Sequence, residues 1–188
     1  MNHILVTGGT GYIGSHTSFL LLLSGFEISI IDSNVNSSPK VLESLIKLGK
    51  EYNKNFSDQI HFYKGDIQDQ SLLDSIFKKS KSNSKPINAV IHFAGFKAVG
   101  ESFQDPLKYW NNNLNGSIYL FKVMRENGCK NIVFSSSATV YKSKLNKLLD
   151  ENSEIGPINP YGRTKLANEQ ILTDTFLSEP NKWRISLL

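Results

Sequence analysis

Short apolar runs alternate along this chain with longer stretches patterned for helix. Ile4-Leu5-Val6-Thr7 is the first run, and it ends at Gly8-Gly9. Residues 12–24 read as a helix stopped at Gly25. Ile28 to Ile31 is the second run, closed by Asp32. Beyond the polar stretch 33–38, residues 39–53 read as helix. Ile60 to Tyr63 is the third run and leads to Gly65-Asp66, with helix over 71–79. Ala89 to Phe93 is the fourth and ends at Ala94-Gly95. Residues 106–127 are patterned as one long helical stretch. Ile132 to Phe134 leads into Ser135-Ser136-Ser137, and a polar loop follows over 142–160. Helix over 162–177 precedes a last strand over 184–188.

Strands that alternate with helices predict right-handed βαβ units and a parallel sheet covered on both faces. The expected class is α/β, a Rossmann-type doubly wound sheet, with residues 1–188 forming one dinucleotide-binding domain. Ligands of such sheets bind beyond the carboxyl ends of the strands. Gly8, Asp32, Asp66, Ala94 and Ser137 all fall at such ends. No repeat or low-complexity tract interrupts the pattern. Because the sequence stops within the last predicted strand, we expect a chain truncated before a further domain.

Composition narrows the class without changing it. The 188 residues are 39% hydrophobic and 20% charged, an ordinary globular mixture. A lone cysteine, Cys129, builds no disulfide framework and reads as structural. The longest strongly apolar stretch, Phe19 to Leu23, falls far short of the ~20 residues of a membrane span. Met1-Asn2-His3 opens no signal peptide. The expectation is a cytoplasmic protein with no membrane partner.

The net charge of +4 is spread over predicted surface elements. Lys78, Lys79, Lys81 and Lys85 cluster, but no aromatics interleave with them. That favours a solvated helix end over a nucleic-acid patch. His3, His16, His61 and His92 are scattered, so no metal site is expected. His16 and His92 read as packing or capping residues.

Two constellations carry chemistry. Residues 7–14, Thr-Gly-Gly-Thr-Gly-Tyr-Ile-Gly, join the first strand to the first helix. Gly8, Gly11 and Gly14 allow a tight turn, close backbone approach and close helix packing. The helix N-terminus then offers free N–H groups to a pyrophosphate. Asp32 suits hydrogen bonding to an adenosine ribose, and its charge would repel a 2′-phosphate, so NAD is expected over NADP. Asp66 is placed to meet the adenine, or else serves the start of the next helix.

Tyr161 and Lys165 form the second constellation. They are four residues apart at a helix start and share a face. Lowering a phenol from a pKa of about 10 to about 7 takes about 4 kcal/mol, at ~1.4 kcal/mol per unit. A nearby ammonium and an oxidised nicotinamide would supply it. Ser137 would hydrogen-bond the reacting oxygen.

These residues resemble the N-terminal part of the UDP-glucose 4-epimerases, members of the extended short-chain dehydrogenase/reductase superfamily. The matching stretches are residues 6–17, 92–102, 135–141 and 159–165, and the likeness runs over essentially the whole chain. The resemblance implies that Gly8, Gly11, Tyr12, Ile13, Gly14, Asp32, Asn36, Ser37, Asp66, Ile67, Phe93, Ala94, Lys97 and Asn112 line the NAD site with Tyr161 and Lys165. It implies Tyr161 as base, Lys165 as its partner and Ser137 as helper at the sugar hydroxyl. Lys97, Ser137, Thr139 and Tyr161 would meet the substrate.

The implied reaction interconverts UDP-glucose and UDP-galactose through a transient 4-keto sugar, in a homodimer formed through residues 106–127 and 162–177. Lys142 departs from the family pattern, which has Gly there. The family's C-terminal substrate domain has no counterpart here, so weak NAD binding and little turnover are expected of this chain alone. Other nucleotide-sugar epimerases and a non-catalytic dinucleotide-binding module are the alternatives. A sugar 4,6-dehydratase would carry Asp-Glu where this chain has Val140-Tyr141.

Overall fold

The computed structural model describes residues 2–142 and 148–188. Part of the predicted polar loop, 143–147, lies outside the described residues. Six strands form one sheet: β1 (His3–Thr7), β2 (Glu27–Asp32), β3 (Ile60–Lys64), β4 (Ile87–His92), β5 (Asn131–Phe134) and β6 (Arg184–Leu187). Their order is β3-β2-β1-β4-β5-β6, and every pairing is parallel. The expected doubly wound sheet is present. The chain reverses direction across the sheet between β1 and β4, which opens a crevice at their carboxyl ends.

Alternation along β1 explains how it is buried on both sides. Ile4 and Val6 face one core with Ile28, Ile30, Leu22 and Phe56. Leu5 faces the other with Leu73, Leu120 and Leu172. Leu22 comes from α1 (Tyr12–Leu23), which covers the first face beside α2 (Lys40–Glu51). Leu73 comes from α3 (Gln70–Ser82). Truncating Leu5, wholly buried at the sheet centre, would cost about 3 kcal/mol.

Helix ends follow local chemistry. Asp69 caps α3 by accepting from the Leu72 amide at 2.9 Å. Gly25 ends α1 in the left-handed region at φ +83°.

The structure breaks the stretch read as one helix over 106–127. It divides into α5 (Pro106–Tyr109), a π-helical segment (Trp110–Asn115) and α6 (Gly116–Glu126). Asn113 causes the change of pitch to matter: its side chain accepts from the Phe96 amide and donates to the Phe96 carbonyl, each at 2.8 Å. The widened turn puts Asn113 inside the protein while Asn112 reaches the crevice.

A further helix, α4 (Val99–Gln104), was not predicted, because it is short and lacks apolar periodicity. Its hold is tertiary: the Tyr109 hydroxyl lies 2.8 Å from the Ala98 carbonyl, and Lys108 reaches Glu101 at 2.6 Å. The last helix, α7 (Pro160–Ser178), begins with Pro at its first turn.

Candidate active site

The crevice opens where the strand order reverses and is floored by the loop between β1 and α1. Gly8 has φ +67°, and a Cβ there would lie 2.8 Å from the Ala94 amide nitrogen. A Cβ on Gly14 would run into the Gly8 carbonyl oxygen. These two glycines are needed by the fold. Gly11 differs: its added Cβ would meet only the Gly8 oxygen, at 3.2 Å, so the space above it is open to a ligand. The first-turn amides of α1 have no partner within the helix, and Gly11, Tyr12, Ile13 and Gly14 line that space. Tyr12 and Ile13 beside them are 76% and 55% exposed, an unusual display of apolar surface at a loop.

Asp32 is buried at the end of β2. Its Oδ2 accepts from the Thr10 amide at 3.1 Å, and its Oδ1 accepts from the Asn34 amide and the Ser37 hydroxyl, each at 2.9 Å. The carboxylate thus ties the glycine loop to the loop after β2 while still lining the cleft. Asp66 also lines the cleft, and its Oδ1 accepts from the Gln68 amide at 2.9 Å.

At the far end stand Tyr161 and Lys165. Asn159 caps α7 by accepting from the Gly162 amide at 2.7 Å, which starts the helix just before Tyr161. The Lys165 ammonium is buried. It donates to the Ser135 carbonyl at 2.7 Å and lies 4.8 Å from the Phe134 ring and 5.9 Å from the Tyr161 ring. Burial pulls its pKa down to about 8, against a smaller upward pull from Glu169. Ser137 has no place in the cleft lining. Its Oγ accepts from the Thr139 amide at 3.2 Å and the Thr139 hydroxyl at 2.9 Å, so its own proton is free to donate.

One cleft therefore brings together all but one of the residues named for the cofactor, from Gly8 on the loop to Lys165 on α7. The exception is Ser37, which serves Asp32 and bonds Thr10 at 2.8 Å. Thr139 lies outside the lining with Ser137. Ser135 and Ser136 line the cleft instead.

Beneath the cleft runs a buried hydrogen-bond chain that the sequence did not reveal. The Ser117 hydroxyl donates to the Asn113 carbonyl at 2.6 Å. With its one proton used, it accepts from His92 Nε2 at 2.9 Å. His92 Nδ1 then accepts from the Thr7 hydroxyl at 2.6 Å. Burial pulls the His92 pKa down to about 3, and the Lys165 charge adds to this. His92 is accordingly a neutral strut from β1 to the π-helical segment. The sequence reads His92 as a packing or capping residue, but its partner Ser117 comes from a different element. Cys129 is buried, and burial pushes its thiol up to about 11, consistent with an inert packing residue.

Among the described residues no group of His, Cys, Asp and Glu is arranged to hold a metal ion. Among them no helix is long and apolar enough to cross a membrane.

Comparison with known proteins follows the same lines. The family model described as GDP-mannose 4,6 dehydratase matches residues 5–179. A UDP-glucose 4-epimerase of Cyamopsis tetragonoloba is 48% identical over 98% of this chain and 50% of its own length. One from Bacillus subtilis is 47% identical over 98% of this chain and 51% of its own length. Among solved structures, UDP-glucose 4-epimerase from Bifidobacterium longum, in complex with NAD+ and UDP, superposes with a TM-score of 0.88 at 40% identity. It is matched over 99% of this chain and 52% of its own. The chain thus spans about half the length of the relatives it matches.

Proposed function

Because the chain belongs to the family described as GDP-mannose 4,6 dehydratase, we infer that it is the NAD-binding and proton-transfer half of a UDP-glucose 4-epimerase. One observation carries this reading. The buried Lys165 and its neighbour Tyr161 face the same cleft as the glycine loop and Asp32. A binding module has no use for a buried ammonium beside a phenol. The positions where a dehydratase would place its acidic pair are Val140 and Tyr141, which supply no carboxylate.

The residues fit NAD. Gly11 leaves room for a pyrophosphate at the start of α1, and Asp32 offers carboxylate oxygens to the adenosine ribose. Asp66 and Ile67 would flank the adenine, and Tyr12, Ile13, Asn36, Phe93, Ala94, Lys97 and Asn112 would complete the walls. Bound there, NAD would supply a reversible hydride acceptor for the sugar C4, with no net redox change. Tyr161 takes the proton from the sugar 4-hydroxyl and later returns it. Lys165 favours the phenolate by its charge. Ser137, with its proton free, donates to the sugar oxygen, and Lys97 and Thr139 border the sugar.

UDP-glucose and UDP-galactose are the substrates proposed. Exposed Phe103, Leu107, Ile118 and Tyr119 on α4 to α6 and Phe176 on α7 would pair two copies in the working enzyme.

The test is a chimera in which residues 1–188 replace the matching half of the Bacillus subtilis relative. It should interconvert the two UDP-sugars. Tyr161→Phe should lower turnover by about 10³-fold while NAD stays bound. A folded, NAD-bound chimera that does not turn over would contradict the assignment.

A further inference from the structure

Two consecutive residues after β5 grip two successive turns of α7. The Ser135 carbonyl accepts from Lys165 at 2.7 Å, and the Ser136 hydroxyl donates to Glu169 Oε1. Lys165 and Glu169 are four residues apart, so both project from one face of the helix. With Tyr161 they form a stripe at 161, 165 and 169. Glu169 is neither an expected site residue nor part of the cleft lining.

The groups around the Lys165 ammonium define what Glu169 does there. The Phe134 ring and the Ser135 carbonyl come from β5 and its end. Neutral His92 comes from β4, and Tyr161 comes from α7 itself. Among the described residues, the Glu169 carboxylate is the negative charge that favours the ammonium. A buried ammonium without a counter-charge tends to lose its proton. The same carboxylate holds Ser136, and the next residue is Ser137.

We propose that Glu169 is a positioning residue for the Tyr161–Lys165 pair: bonded to Ser136, it fixes the 135–137 turn on α7 and holds its carboxylate on the face of the helix that carries Lys165. Its importance for catalysis rests on the epimerase reading, whereas the coupling to Lys165 does not.

The coupling is read in the 188-residue chain by NMR titration of ¹³Cε-labelled lysines, with the Lys165 signal assigned from its loss in Lys165→Met. Glu169→Gln keeps an oxygen for the Ser136 hydroxyl and removes only the charge. It should lower the Lys165 midpoint by about 1 pH unit. Ser136→Ala keeps the charge but frees the carboxylate to swing away, and should lower the midpoint by less. An unchanged midpoint in Glu169→Gln overturns the counter-charge, and an unchanged midpoint in Ser136→Ala overturns the clamp. If Glu169→Gln does not fold, Glu169→Asp should give an intermediate midpoint, and an unshifted value overturns the proposal. Failure of the epimerase reading would look different: the wild-type chain would ignore NAD while the Lys165 shifts remained.

Discussion

The two ends of the parallel sheet use similar residues to opposite effect. At the amino ends of the strands, Glu27 is 2% exposed, yet Lys85 reaches it at 2.8 Å and His61 Nε2 lies 2.6 Å from it. His3 is held by the Lys85 carbonyl at 2.8 Å and the Ser29 hydroxyl at 2.9 Å. Glu27 and His3 there are each answered by groups within the protein. At the carboxyl ends, Lys165 is buried against a carbonyl and two aromatic rings, Tyr12 and Ile13 stand in the open, and Gly11 leaves a gap. Groups held at a cost to stability, with space in front of them, mark the end that awaits a ligand.

The contrast breaks most sharply at the glycine loop. Gly11→Val should reduce NAD affinity by at least about 100-fold at a small cost in stability, since its Cβ meets only the Gly8 carbonyl oxygen, at 3.2 Å. Gly14→Val should instead cost about 3 kcal/mol of stability, because its Cβ meets the loop backbone. Calorimetric titration with NAD and thermal melts of both variants separate the two. Full NAD affinity in Gly11→Val would contradict the loop assignment.

Next in size, Glu27→Ala should destabilise the chain by about 2 kcal/mol by leaving its partners unpaired, with Lys85 half exposed. NAD affinity should not move. Burial raises the Glu27 carboxyl, but the bonds from Lys85 and His61 outweigh it and hold the pKa below the usual 4.5. A lowered carboxylate pKa stabilises above the unfolded value. That contribution is lost as pH falls below about 4.5 and on through the folded pKa. Denaturant melts from pH 7 down to pH 3 should show a steeper loss in wild type than in Glu27→Gln.

Lys165→Met should act in the opposite sense, raising stability by about 1 kcal/mol while weakening NAD binding. The folded pKa of Lys165 is about 8 against 10.5 unfolded. Between those values the unfolded chain binds more protons, so stability from this group rises with pH. The 2.5-unit difference, at ~1.4 kcal/mol per unit, exceeds the gap between Lys165→Met and wild type, so that gap should close and reverse in sign between pH 8 and pH 10.5. The smallest expected effect is none at all: ¹⁵N spectra should show His92 as the neutral Nε2–H tautomer throughout pH 5 to 8. A midpoint near 6.5 would contradict the buried strut.

Much of the sheet was legible because strands buried on both faces appear as apolar runs, and the special residues fall where those runs stop. The π-helical segment was not, since apolar periodicity tolerates one extra residue and Asn113 is drawn in by Phe96, remote from it in sequence. The helix at Val99–Gln104 owes its hold to Tyr109 and Lys108, which no local pattern announces. Within the site, the glycine loop and the Tyr161–Lys165 pair are local patterns and were readable. Ser37 was expected in the cleft, but its hydroxyl is turned to Asp32. Glu169 had a signal in the 161, 165, 169 spacing, yet its partner Ser136 comes from another element.

The central claim is that the cleft at the carboxyl ends binds NAD. Equilibrium titration of the 188-residue chain with NAD and NADP tests it most directly. Weak but saturable NAD binding, about tenfold or more weaker for NADP because Asp32 repels its 2′-phosphate, is the predicted result. A folded chain that binds neither, or that prefers NADP, would contradict it.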